Sequence, residues 1–255
     1  MLGDTLVVEV LNRAARQCGV KAPSSWVTAT RDDHVSIRDD FLIVTVADIL
    51  DRFDFAAPIA NSTTFTVEDA NSRLMADGSR WFPMNSEARR LQRHPLAVYD
   101  VGQQQPVLPV SDDAQWTHLV STGASGASKY YQLRSFPGEG QLYVYPAPGV
   151  GETIKVHYVS EKWIRSGTTG DYTTTGKLAF TDDADLLALP ADPVTAGIVW
   201  RYRERQGLPF MDKYNEYEAK LARMANDSRS RRVVNMGQRK DVRWQDLIPT
   251  FIPPA

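Results

Sequence analysis

Four histidines, one cysteine and several clustered carboxylates are the side chains best suited to acid–base, metal or nucleophilic chemistry in this chain. His34, His94, His118 and His157 lie far apart. None stands in the HExxH or HxH spacing that would bring two imidazoles onto one metal ion. Cys18 is alone, which excludes a disulfide framework or a cysteine-based zinc site within one chain. No GxSxG, GxxxxGK[ST] or helix-opening GxGxxG occurs. The run Asp182-Asp183-Ala184-Asp185 has the carboxylate density that calcium or magnesium wants. Its favoured reading is a solvated loop that caps the helix after it. Asp32-Asp33 and Asp39-Asp40 likewise read as solvated or helix-start charges. Glu139, Glu161 and Asp171 are the acids a glycosidase would draw on, but a paired-acid geometry is not legible in sequence. The chain therefore reads as carrying no catalytic residue, no metal and no cofactor.

Composition points the same way. With 255 residues the chain can bury a sizeable core in one or two domains. Its 42% hydrophobic and 24% charged residues are ordinary for a soluble globular protein, and a net charge of −2 makes no global case for nucleic-acid or membrane binding. The N-terminus lacks a basic segment followed by an apolar run, so no secretory signal is expected. Apolar stretches such as Phe41 to Val44 fall far short of a membrane span. The expected setting is the cytoplasm, or a particle assembled there.

The elements that must position these residues fall into an order of helices, strands, helices. Gly3-Asp4-Thr5 offers caps for a helix from Leu6 to Cys18 ending at Gly19, with Leu6, Val10, Arg13 and Ala14, and Val7 and Leu11 beside them, along one stripe. A second helix is predicted from Ser36 or Arg38 to Arg52, burying Phe41, Ile49 and Phe53. From Asp54 to about residue 163 short apolar runs alternate with Gly, Pro, Asn and Ser clusters, an all-β texture. Gln141–Tyr145 and Thr153–Tyr158 read as a hairpin. Pro146 and Pro148 end its first strand, and Ile154, Val156 and Tyr158 alternate with Lys155 and His157 in its second. Trp116 and Trp163 read as sheet-packing residues, and Gly167 to Gly176 as a flexible loop. Asp192-Pro193 starts a helix with Val194, Ile198 and Tyr202 on one face, closed by Gly207. A last helix from Met211 to Ala225 aligns Tyr214, Tyr217, Leu221 and Met224 as core, with Glu216 and Lys220 paired outside. The fold class is α+β: a helical bundle from residues 1–53 and 186–227, a β-rich sandwich or barrel-like insertion over 54–185, and an extended arm over 228–255.

That arm is basic first and apolar afterwards. Arg229, Arg231, Arg232, Arg239, Lys240 and Arg243 precede Trp244, Leu247, Ile248, Phe251 and Ile252, with Pro249 among them and Pro253-Pro254 behind. Large apolar residues on an extended segment call for a covering surface. Its basic part has three readings: docking on another protein, which is favoured, plain solvation, or contact with DNA phosphate. Base-stacking aromatics are missing between Ser228 and Lys240, which argues against a single-strand binder.

An ordered series of motifs resembles the head-to-tail adaptor (connector) proteins of tailed bacteriophages. It runs from Trp116 through Tyr131-Gln132-Leu133, Leu142-Tyr143-Val144-Tyr145-Pro146-Ala147-Pro148, Gly151-Glu152-Thr153-Ile154 and Tyr158-Val159-Ser160-Glu161-Lys162-Trp163. It continues with Asp182-Asp183-Ala184-Asp185 ahead of Leu189-Pro190, Gly197-Ile198-Val199-Trp200-Arg201-Tyr202, Gly207-Leu208-Pro209 and Tyr214-Asn215-Glu216-Tyr217, covering roughly residues 115 to 232. The N-terminal part departs from that family's pattern, with Trp81 in a longer β segment. The resemblance implies a structural virion protein at the head–tail junction, assembled in the host cytoplasm as a dodecameric ring of self-associated copies. Its partners would be the portal protein and a tail tube, nozzle or tail-completion protein, with packaged DNA passing through the channel without sequence-specific binding and no membrane involved. The arm would dock on the portal, with Trp244, Leu247, Ile248, Phe251 and Ile252 as apolar anchors and Arg231, Arg232, Arg239 and Arg243 as electrostatic guides. Extended at about 3.3 Å per residue, Ser228 to Ala255 reaches about 90 Å. The rival reading is a virion β-domain that binds or hydrolyses cell-envelope carbohydrate.

Overall fold

A computed structural model of the chain describes residues 5–53, 60–67, 73–93, 97–123, 128–134, 140–167 and 176–230, with side chains excepted at 60, 61 and 226–230. The first helix, α1 (Val7–Cys18), ends as its sequence dictates, with Gly19 in the left-handed conformation at φ 74° and its N–H returned to Ala15 and Arg16 carbonyls. Its start differs. Thr5–Leu6 forms a short strand, β1, and the Val7 N–H donates to the Asp185 carbonyl, so no side chain caps the helix.

The second helical stretch begins earlier than predicted. It runs as α2 (Asp32–Val35), a π-helical segment (Ser36–Phe41) and α3 (Leu42–Arg52). The wider π turn keeps Ile37, Phe41 and Leu42 all buried. The penultimate helix, α5 (Ala191–Arg205), begins with Pro190 at its N-cap; Asp192 lies in its first turn rather than capping it. The last, α6 (Met211–Ser230), runs beyond Ala225. Between α3 and α5 a short helix, α4 (Asp113–Ser121), interrupts what reads from sequence as continuous β structure; Asp112 caps it by accepting from the Ala114 N–H.

One core joins the two ends of the chain. Val10, Leu11 and Ala14 of α1, Val46 and Ile49 of α3, Val194, Ile198 and Val199 of α5, and Tyr217 and Leu221 of α6 are buried together. Tyr214 and Met224 flank this seam only half-buried. Trp163, read from its sequence context as sheet-packing, is buried in this core, which also takes the strand residues Val159, Ile164 and Leu187. A four-stranded antiparallel sheet in the order β1, β14 (Leu186–Leu187), β12 (Ile164–Arg165), β13 (Gly176–Lys177) edges the body.

Among the described residues the β part holds two further open sheets and no closed barrel. One runs β3 (Arg73–Leu74), β4 (Arg80–Pro83), β10 (Gln141–Tyr145), β9 (Tyr130–Arg134), β8 (Leu108–Pro109), with only the β8–β9 pair parallel. In the other, β11 (Thr153–Ser160) pairs with β2 (Ala60–Thr66) along one edge and with β6 (Val98–Asp100) and β5 (Ala88–Leu91) in succession along the other; β7 (Gln105–Pro106) follows β6. Phe82, Leu142 and Val144 from the first sheet meet Phe65, Ile154, Val156 and Tyr158 from the second in a shared core, a sandwich arrangement.

β10 and β11 are therefore not a hairpin. Each already has a neighbour on both edges, and the link 146–152 carries the chain from one sheet to the other. The expected alternation in β11 is present, with Ile154, Val156 and Tyr158 buried and Lys155 and His157 partly exposed. In β10 both faces are covered. Leu142 and Val144 enter the sandwich, while Tyr143 and Tyr145 pack edge-on against Trp116 of α4 on the far side. Trp116 thus packs on the sheet from a helix.

Candidate assembly surfaces

The base of the C-terminal arm is the best-defined element of the expected interface. α6 is seated on α5 and α3 by a close approach at Gly197, where an added Cβ would collide with the Thr45 side chain and come within 3.0 Å of the Tyr217 ring. Arg201 lies over the Trp200 and Tyr217 rings at 4.4 and 5.5 Å and donates to Thr45 Oγ1 and to the Gly197 carbonyl. The Tyr217 hydroxyl donates to Asp48 at 2.7 Å; burial, then that bond, push its pKa well above the ordinary tyrosine range. Arg52 bridges Asp48 and Glu218. These contacts fix the helix from which residues 231–255 continue.

The residues expected to do the docking, Arg231, Arg232, Arg239, Arg243, Trp244, Leu247, Ile248, Phe251 and Ile252, lie outside the described residues. So do His94, Glu139, Asp171 and the loop residues 168–175. Of the rival reading's acids, Glu161 lies 3.6 Å from Arg89 in an ion pair. Among the described residues no group of three or more His, Cys, Asp and Glu could hold a metal ion. No helix there is long and apolar enough to cross a membrane.

The carboxylate loop is not a solvated helix cap. Asp185 is fully buried and accepts from the Thr181 and Asp182 N–H groups and from Lys177 Nζ. Asp183 accepts from the Trp26 and Val27 N–H groups. Trp26 is itself fully buried, its indole N–H donating to Asn12 at 2.7 Å and its ring meeting His34 edge-on. Arg38 donates to the carbonyls of Trp26, Val27 and Ala29. Asp183 and Asp185 are thus spent on closing the helical body, whereas Asp182 is exposed and accepts from the Ala184 N–H within the loop. Asp33, Asp39 and Asp40 are likewise paired, with Arg31, Arg38 and Arg205.

One end of the β part carries a buried charge cluster that the sequence did not announce. Lys129 Nζ reaches Asp100 and Glu152, both at 2.5 Å, with the lysine and aspartate side chains 8% and 2% exposed. The Gln103 N–H donates to the other Asp100 oxygen, and the Gly149 N–H donates to the same Glu152 oxygen that Lys129 reaches. The link 146–152 and the turn after β6 are thereby tied together, and Val150 stands 83% exposed at the tip.

No protein-family model and no curated protein matches this chain.

Proposed function

We propose that this chain is a head-to-tail connector: a structural virion protein that forms a ring beneath the portal, joins capsid to tail and extends the DNA channel. The observation that carries the reading is the closure of helices from both ends of the chain into one core. From that core α6 leads directly into a basic-then-apolar segment. The ordered motif series of the sequence supports it, and the α+β architecture agrees with a helical body carrying a β-rich insertion. Its work is association rather than catalysis. A heterologous contact repeated about a closed axis makes a ring, and each copy then adds one arm, so many weak contacts give a tight assembly.

The test is negative-stain imaging with mass determination, on the protein alone and mixed with portal rings encoded by the same genome. A ring, free or on the portal, is expected. A persistent monomer that ignores the portal overturns the reading. Removing residues 241–255 should leave the body folded and abolish portal binding; undiminished binding by the shortened chain removes the arm's assigned role.

A further inference from the structure

The helical body and the β sandwich have separate apolar cores. The chain passes from one to the other twice, after Phe53 and again after Tyr158. Polar contacts gather at this junction. Arg89 of β5 grips Asp51 with two hydrogen bonds, at 2.6 and 2.9 Å, and its third nitrogen lies 3.6 Å from Glu161. Asp51 closes α3 just before the chain leaves the helical body, and Glu161 follows β11 just as it returns. One guanidinium therefore straps both crossings.

Its neighbours complete the grip. Arg90 donates to the carbonyls of Leu50 and Phe53, and Arg93 to that of Asp51. These are carbonyls at the C-terminal end of α3, where no intrahelical donor remains and positive charge is favoured by the helix dipole. Beside them the Glu161 N–H donates to the Glu87 carbonyl, and Glu87 pairs with Lys162 and accepts from Tyr158. Here β11 itself passes from one core to the other, giving Tyr158 to the sandwich and Val159 to the body, and the charged hydrogen bonds around it set the angle of that passage.

We propose that Arg89, with Arg90 and Arg93, is a clasp that locks the orientation of the β part on the helical body. Without it the two parts remain folded but turn about the two crossings. The clasp does not depend on the connector reading; in a connector it would hold the angle between the face toward the head and the face toward the tail.

The experiment measures the distance between spin labels on the full-length protein. The labels sit at the exposed positions Ile43→Cys on α3 and Val150→Cys at the sandwich tip, in a Cys18→Ser background. Arg89→Gln and Asp51→Asn are compared with the parent, with circular dichroism and thermal unfolding recorded for each. The expected result is a narrow distance distribution in the parent that broadens and shifts in both variants while their spectra and cooperative transitions persist. An unchanged distribution in folded variants overturns the clasp. So does loss of the fold in both variants, because the arginine would then be supporting the cores themselves.

Discussion

A Cβ placed on Gly197 would strike the side chain of Thr45, which is fully buried and, being β-branched, cannot swing away. Gly197→Ala should therefore destabilise the protein by about 1–3 kcal/mol through overpacking, outweighing the better helix propensity of alanine. A lowered urea midpoint would register it. Lys129→Met leaves the buried Asp100 and the part-exposed Glu152 without their cation, and should cost about 3–5 kcal/mol, most of it from Asp100. Converting Asp100 to Asn and Glu152 to Gln in the same chain should recover much of that loss; no recovery would mean the lysine acts through packing alone. Glu216 accepts from Lys220 and Lys213, and those hydrogen bonds lower its carboxyl from 4.5 to about 2. A depressed carboxylate pKa adds stability that is fully present above pH 4.5 and fades as the pH falls toward 2. The group is surface-exposed, so the gain is small, a few tenths of a kcal/mol per pair. Acid titration of Glu216→Gln should diverge from the parent above pH 4.5 and converge near pH 2.

At the scale of elements, α4 serves as a lid on the outer face of the first sandwich sheet. Trp116→Ala would uncover Tyr143 and Tyr145 and should cost about 3–5 kcal/mol, read by thermal unfolding and by loss of near-ultraviolet circular dichroism. This helix escaped the sequence reading although its signals were there: Asp112 as cap, then Trp116, Leu119 and Val120 at helical spacing. Nine residues between strands were absorbed into the surrounding β texture. α1, α5 and α6 were legible because their apolar stripes face a core over several turns and glycines stop two of them. The pairing of β10 and β11 was not. Alternation tells which face of a strand is buried, and says nothing of which strand lies beside it. The same limit hid the clasp at the junction. Basic and apolar character marks residues 231–255 in the sequence itself, whereas Arg89, Arg90 and Arg93 gain meaning only when β5 meets the end of a helix some forty positions earlier in the chain.

On the scale of the whole molecule, the helical body and the sandwich hold the two large apolar cores of the described residues, with β11 shared. It gives Ile154, Val156 and Tyr158 to one core and Val159 to the other. A strand common to both predicts a single cooperative unfolding transition, so calorimetric and van't Hoff enthalpies should agree; two resolved transitions would show the cores to be independent. The double grip of Arg89 has a different consequence, one of lineage and engineering. Since Asp51 and Glu161 both lie against one guanidinium, the chain leaves and rejoins the helical body at almost the same point. A segment with coincident ends behaves as a cassette. A short linker from Phe53 to Val159 would keep both of these residues with the body and close it without the sandwich, and the same gap would accept an unrelated domain in its place.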